Sequence, residues 1–119
     1  MTQAQAPQGG NTDIEKSAPH IFEQVIAAHE EVDYSKLAPW LSAEMSEALD
    51  EATFESIIAE HLAALGDFSG ADYLGSLQKG DATQLLWRTR YSESETEVLW
   101  QLFLAPQDGQ LKIVGMLFS

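Results

Sequence analysis

Cysteine is absent from this 119-residue chain. That single absence excludes a disulfide framework, a thiol nucleophile, a zinc–thiolate site and an iron–sulfur cluster. Cations are scarce as well: six Lys and Arg stand against nineteen Asp and Glu, for a net charge of −13. So few cations cannot neutralise a phosphate backbone, and nucleic acid is not an expected partner. The lack of a basic amphipathic stretch also argues against docking on an anionic membrane surface. No apolar run approaches the roughly 18 residues that a membrane span requires. Internal repeats, a Walker-type glycine loop and an Asp-x-Asp-x-Asp-Gly calcium loop are also missing. What is present is 45% hydrophobic and 9% aromatic, enough to bury one real core.

Residues 1–18 read MTQAQAPQGGNTDIEKSA, with Met1 and Ile14 as the sizeable apolar side chains. Such a stretch buries too little surface to offset ordering costs of roughly 1–2 kcal/mol per residue. It is expected to be a flexible tail, followed by one α+β domain over residues 19–119. It lacks the basic start and the apolar core of about 7–15 residues that mark a signal peptide. The expected location is the cytoplasm, for a chain from which no export signal has been trimmed.

Periodicity then divides the chain in two. Ser17 can cap a first helix with Pro19 in its first turn, and Phe22, Val25, Ile26 and His29 form its apolar stripe. A short helical piece follows near Tyr34–Ala38, and Ser42 caps another through Leu49. The longest helix is expected over Ala52–Leu65, its stripe built from Phe54, Ile57, Ile58, His61, Leu62 and Leu65. Gly66 sits where a left-handed cap belongs. Beyond it the period changes to two, giving strands near Ala71–Gln78, Gln84–Tyr91, Thr96–Leu104 and Gln110–Phe118.

Two hairpins join the last three strands. Pairing Tyr91 with Thr96 sets Trp87 opposite Trp100 and Arg90 opposite Glu97. Pairing Ala105 with Gln110 sets Trp100 opposite Gly115 and Phe103 opposite Lys112. One face then carries Leu85, Trp87, Tyr91, Val98, Trp100, Leu102, Leu104, Ile113 and Leu117, and packs on the helices. The other mixes Leu86, Arg88, Arg90 and Lys112 with Leu99, Phe103, Val114, Met116 and Phe118. A face that apolar marks an interface, and the last five residues are the expected contact of a homodimer.

The order of elements also resembles a known family. The residues concerned are Asp33-Tyr34, Leu41-Ser42, a helix containing Phe54 and closing on Leu65-Gly66, and a last strand opening Asp108-Gly109-Gln110-Leu111-Lys112-Ile113-Val114-Gly115. This layout resembles the nuclear transport factor 2-like (cystatin-like cone) superfamily, and within it small bacterial domains of unknown function. The resemblance implies N-terminal helices packed on a curved antiparallel meander. It implies no single activity, because the superfamily holds ketosteroid isomerases, dehydratases and polyketide cyclases beside non-enzymatic dimerisation and ligand-binding modules. No catalytic pattern of those enzymes matches here with its neighbours, so no catalytic residue carries over.

Several side chains remain as candidates. His29 and His61 both lie on apolar helix stripes, where they could meet as acid–base groups in a pocket or be half-buried structural histidines. Trp87, Trp100, Tyr91 and Phe54 could wall a site for a small apolar ligand, or simply fill the core. Tyr73 could donate a hydrogen bond at a sheet end. Glu44, Glu47, Asp50, Glu51, Glu55 and Glu60 make the helical layer acidic, as a solvated face or a surface for a basic partner. No metal ligand set and no cofactor motif is recognised. The expected function is a dimeric, non-catalytic module binding a small ligand or a protein. The alternatives are a small isomerase or dehydratase with a histidine base, and an acidic immunity-type inhibitor.

Overall fold

A computed structural model describes the backbone of residues 5–119, with side-chain detail from residue 13. Helix α1 runs Gln5–Glu31 and is followed by two short 3-10 turns, Tyr34–Lys36 and Ala38–Trp40. Helices α2 (Ala43–Ala48) and α3 (Glu51–Ile57) come next, and α3 continues through a π-helical turn at Ile58–Leu62 and a 3-10 turn at Ala63–Leu65. Four strands complete the chain: β1 (Phe68–Lys79), β2 (Ala82–Tyr91), β3 (Val98–Gln107) and β4 (Gln110–Phe118). They form one sheet in the order β1-β2-β3-β4, antiparallel throughout.

The first helix departs from its expected start at Ser17. It is continuous from Gln5, so Pro19 lies inside it. A proline there leaves the Glu15 carbonyl without its helical N–H partner. Packing outweighs that loss: Ala18, Ile21, Phe22, Val25 and Ile26 are all buried, and Ile14 packs against them. Of the expected tail, residues 1–4 lie outside the described residues and 5–18 belong to α1. The helix stops in a Schellman-type turn, where the Asp33 N–H donates to the Ala28 carbonyl at 2.8 Å. The residue in the left-handed position is Val32, with φ of 51°, a strained conformation for a β-branched side chain.

Ser42 caps α2 as expected, accepting from the Met45 N–H at 3.1 Å. Asp50 does the same for α3 through Thr53, at 2.9 Å. The expected single helix over Ala52–Leu65 is instead three turn types in succession. In the π turn the Ala63 N–H reaches the Ile58 carbonyl, one residue further than α spacing. The widened turn buries Phe54, Ile58 and Leu62 and leaves His61 at the margin.

The β2–β3 ladder has the expected register, with Trp87 opposite Trp100. Arg90 and Glu97 lie just beyond that ladder, where Glu97 joins Arg88, Arg90 and Asp72 in an exposed ion cluster. The β3–β4 register is not the expected one. From Gln107↔Gln110 to Leu104↔Ile113 it is offset, and then Val114 is skipped, so that Phe103 faces Gly115 and Trp100 faces Phe118. A one-residue bulge exchanges the two faces of the strand beyond it. Met116 and Phe118 therefore turn to the helix side, where they pack against the core. Leu117 goes to the outer face, where it is 55% exposed. Phe103, not Trp100, covers Gly115: a Cβ added there would lie 3.0 Å from its ring.

Trp100 sits at the centre of the core with no exposed surface. Its ring meets Phe22, His29 and Phe118 at centroid distances of 6.4, 5.1 and 4.9 Å. Its indole N–H donates to the Tyr91 hydroxyl at 2.9 Å. The loop before α2 closes the β4 edge: Leu41 bridges Ile113, and the Ser42 N–H donates to the Ile113 carbonyl at 3.0 Å.

Candidate functional site

The bulge, the π turn and the end of α1 converge on one cavity of about 440 Å³. The far end of β4 supplies Met116 and Phe118, and α2 with its following residue supplies Met45 and Leu49. From α3 and the π turn come Phe54, Ile57 and His61, while His29 reaches it from the last turn of α1. Each wall is fixed from behind. Tyr34 donates to the Leu49 carbonyl at 2.6 Å and so ties the end of α2 down. Phe118 lies against Trp100.

His29 is the one buried polar side chain on these walls, at 6% exposure. Its Nδ1 lies 2.7 Å from the Val25 carbonyl. A carbonyl can only accept, so Nδ1 carries the proton and Nε2 holds the lone pair. Burial pushes the His29 pKa below its ordinary 6.5, and the Val25 bond opposes that only in part. The ring is neutral at neutral pH. It is held edge-on to Phe54 at 4.9 Å and to Trp100 at 5.1 Å. Fully buried polar side-chain atoms among the described residues all have partners. Nε2 has none among them, so it is not sealed in packed core; His29 borders both this cavity and a smaller one of about 230 Å³ between the end of α1, the π turn and Tyr91.

His61 lines the same cavity, but its side chain is 60% exposed and stands 4.0 Å from Glu60. The two histidines thus share a cavity as floor and rim. The four expected wall aromatics divide differently. Phe54 lines the cavity, and Trp100 backs it from the core. Trp87 stacks on Phe22 at 4.1 Å, with the planes 2° apart, and Tyr91 is engaged with Trp100. Tyr73 donates to Glu15 at 2.6 Å, away from this cavity; burial, then that carboxylate, pushes its pKa to about 12.

Sequence reasoning missed Met116 and Phe118 as wall residues, because it placed them on the outer face. The signal that could have found them is Gly115, since an isolated glycine within a strand often marks a bulge. Met45, Leu49 and Ile57 were available only as helix-stripe positions.

A second depression of about 570 Å³ lies between α1 and the β3–β4 hairpin. Ser17, His20, Pro39 and Gln110 on its walls are all exposed, and the buried residue it reaches, Ile21, offers no polar group. Among the described residues no group of three or more His, Cys, Asp and Glu is placed to hold a metal ion. The acidic side chains of α2 and α3 all stand in solvent.

No family model matches the sequence, and no curated protein matches it. Solved structures do. An NTF2-like protein of unknown function from Shewanella baltica is similar with a TM-score of 0.59 at 11% identity, over 91% of this chain and 94% of that one. A SEC-C motif containing protein from Rhodopseudomonas palustris is similar with a TM-score of 0.54 at 17% identity, over 76% of this chain and 70% of that one. The fold is NTF2-like: helices followed by a four-stranded antiparallel sheet.

Proposed function

We propose that this NTF2-like domain is a non-catalytic binding module whose cavity between α2, α3 and β4 holds a small, uncharged, apolar ligand. The observation that carries this reading is the make-up of the cavity: seven large apolar side chains, Leu117 at its edge among them, around a single buried polar group. Its volume lies within the roughly 300–1,000 Å³ typical of small-molecule sites. Acid–base catalysis needs a second group positioned against the first, and the other histidine is an exposed rim residue. The test is a titration with naphthalene, followed by thermal shift and tryptophan fluorescence. Binding raises the melting temperature and perturbs Trp100. Ala48→Trp, at the exposed mouth, abolishes both effects. Naphthalene that binds the variant as well as the wild type refutes this site.

The outer sheet face supports a homodimer as the working form. Leu77 and Leu117 are 51% and 55% exposed there, flanking Leu86, Leu99 and Phe103. Of the expected five residues this contact keeps Leu99 and Phe103, loses Met116 and Phe118 to the cavity, and leaves Val114 at the bulge, outside the ladder. The Arg88–Asp72–Arg90–Glu97 cluster leaves the face without the chain's acidic excess, so two copies meet where repulsion is weakest. A stable pair needs about 800 Å² from each partner. Phe103→Glu splits the dimer in sedimentation and leaves the fold intact; a wild-type monomer at tens of micromolar refutes it.

A further inference from the structure

We infer, resting on the binding function above, that the ligand donates a hydrogen bond to His29 Nε2. The cavity then selects flat apolar molecules with one uncharged hydroxyl over hydrocarbons of the same shape. The Val25 carbonyl decides the tautomer. By accepting from Nδ1 at 2.7 Å it leaves Nε2 as an acceptor and nothing else. The ring has no freedom to turn away, because Phe54 and Trp100 hold it edge-on from two directions. This is an acceptor oriented before any ligand arrives, so a matching donor loses little entropy on binding.

The chemistry of the walls then narrows the ligand. Solvent entering the cavity can pair with Nε2, and a hydrocarbon that expels it leaves the lone pair unpaired. Leaving a buried acceptor unmade costs more than an ordinary hydrogen bond contributes. A hydroxyl replaces the lost water. A carboxylate finds no Lys or Arg on the walls and enters a chain of net charge −13. An ammonium could reach Nε2, but its charge would be stranded among Phe54, Ile57, Met116 and Phe118. A neutral donor remains, as in a phenol or an alcohol on a ring system.

The experiment compares 2-naphthol with naphthalene on the intact chain. Wild-type protein binds 2-naphthol about fivefold to tenfold more tightly, the worth of one buried neutral hydrogen bond. His29→Phe keeps the ring and removes the acceptor, and the order reverses because the naphthol hydroxyl now goes unpaired. A readout that needs no variant is the His29 Nε2 nitrogen resonance, which moves with 2-naphthol and stays with naphthalene. Equal affinities with an unmoved resonance overturn the acceptor role and leave the cavity as an apolar binding site. Failure of both probes to bind overturns the acceptor role together with the binding function beneath it.

Discussion

The hydrogen bond between Trp100 and Tyr91 offers the sharpest measurement on this core. Both partners are out of solvent, at 0% and 5% exposure, and the bond is 2.9 Å long. Tyr91→Phe keeps the ring and strands the indole N–H of a side chain with no exposed surface. The expected cost is about 1–3 kcal/mol, the penalty of an unpaired buried donor. Trp100→Phe removes the same bond, strands the tyrosine hydroxyl and opens space beside Phe22, His29 and Phe118, for roughly 2–3 kcal/mol. The double variant has neither orphan, so its cost falls short of the sum by about 1 kcal/mol or more. The assay is urea unfolding followed by far-ultraviolet circular dichroism, with an unchanged slope showing that stability alone has moved. Additivity within about 0.5 kcal/mol would mean that the two side chains do not share a bond, and the β2–β3 register would have to be reconsidered.

Other outcomes follow from single positions. Val32→Gly relieves the positive φ that ends α1 and exposes little new surface, so stability rises by about 1 kcal/mol; an unchanged or lower urea midpoint contradicts the strained cap. His29 is held neutral in the fold, with its pKa below 6.5. Its contribution is complete above 6.5 and is lost as pH falls from there toward the folded value, because the unfolded chain takes up the proton more readily. The urea midpoint of wild type should therefore fall relative to that of His29→Phe as pH drops below 6.5, and parallel curves would refute the buried neutral ring. Trp100→Ala costs about 3–5 kcal/mol through the cavity it leaves, and a loss under about 1 kcal/mol would place that side chain outside the core.

The parts of this fold legible in the sequence are those where one face is apolar and the other is not. In β2, Leu85, Trp87 and Tyr91 alternate with Gln84, Arg88 and Arg90, so a shift by one residue would bury arginine. That alternation made the Trp87–Trp100 pairing readable. From Ile113 to Phe118 every residue is apolar or glycine, so either face could be the inner one, and Gly115 is the single mark of the bulge at Val114. The π turn is hidden for a related reason. Ile57-Ile58 and His61-Leu62 are adjacent pairs that satisfy an α stripe and a widened one equally well. His29 and Phe54 were found as site residues because they stand on clear stripes. Pro19 misled because its usual place in a helix is the first turn, and the packing of Ile21, Phe22 and Val25 overrides that preference.

The skipped residue in β4 also has an evolutionary reading. Removing Val114 would restore an unbroken ladder with Gly115 still opposite Phe103, so Met116 and Phe118 would keep facing the helices and Leu117 would stay outside. A one-codon deletion at the bulge is therefore absorbed without exchanging the faces. Closing the bulge with every residue kept has the opposite effect: Val114 takes the place opposite Phe103, Met116 and Phe118 turn outward, and Leu117 turns in. A strand with this spare residue holds a binding chamber and an adhesive surface in one sequence, and a single step of register decides between them.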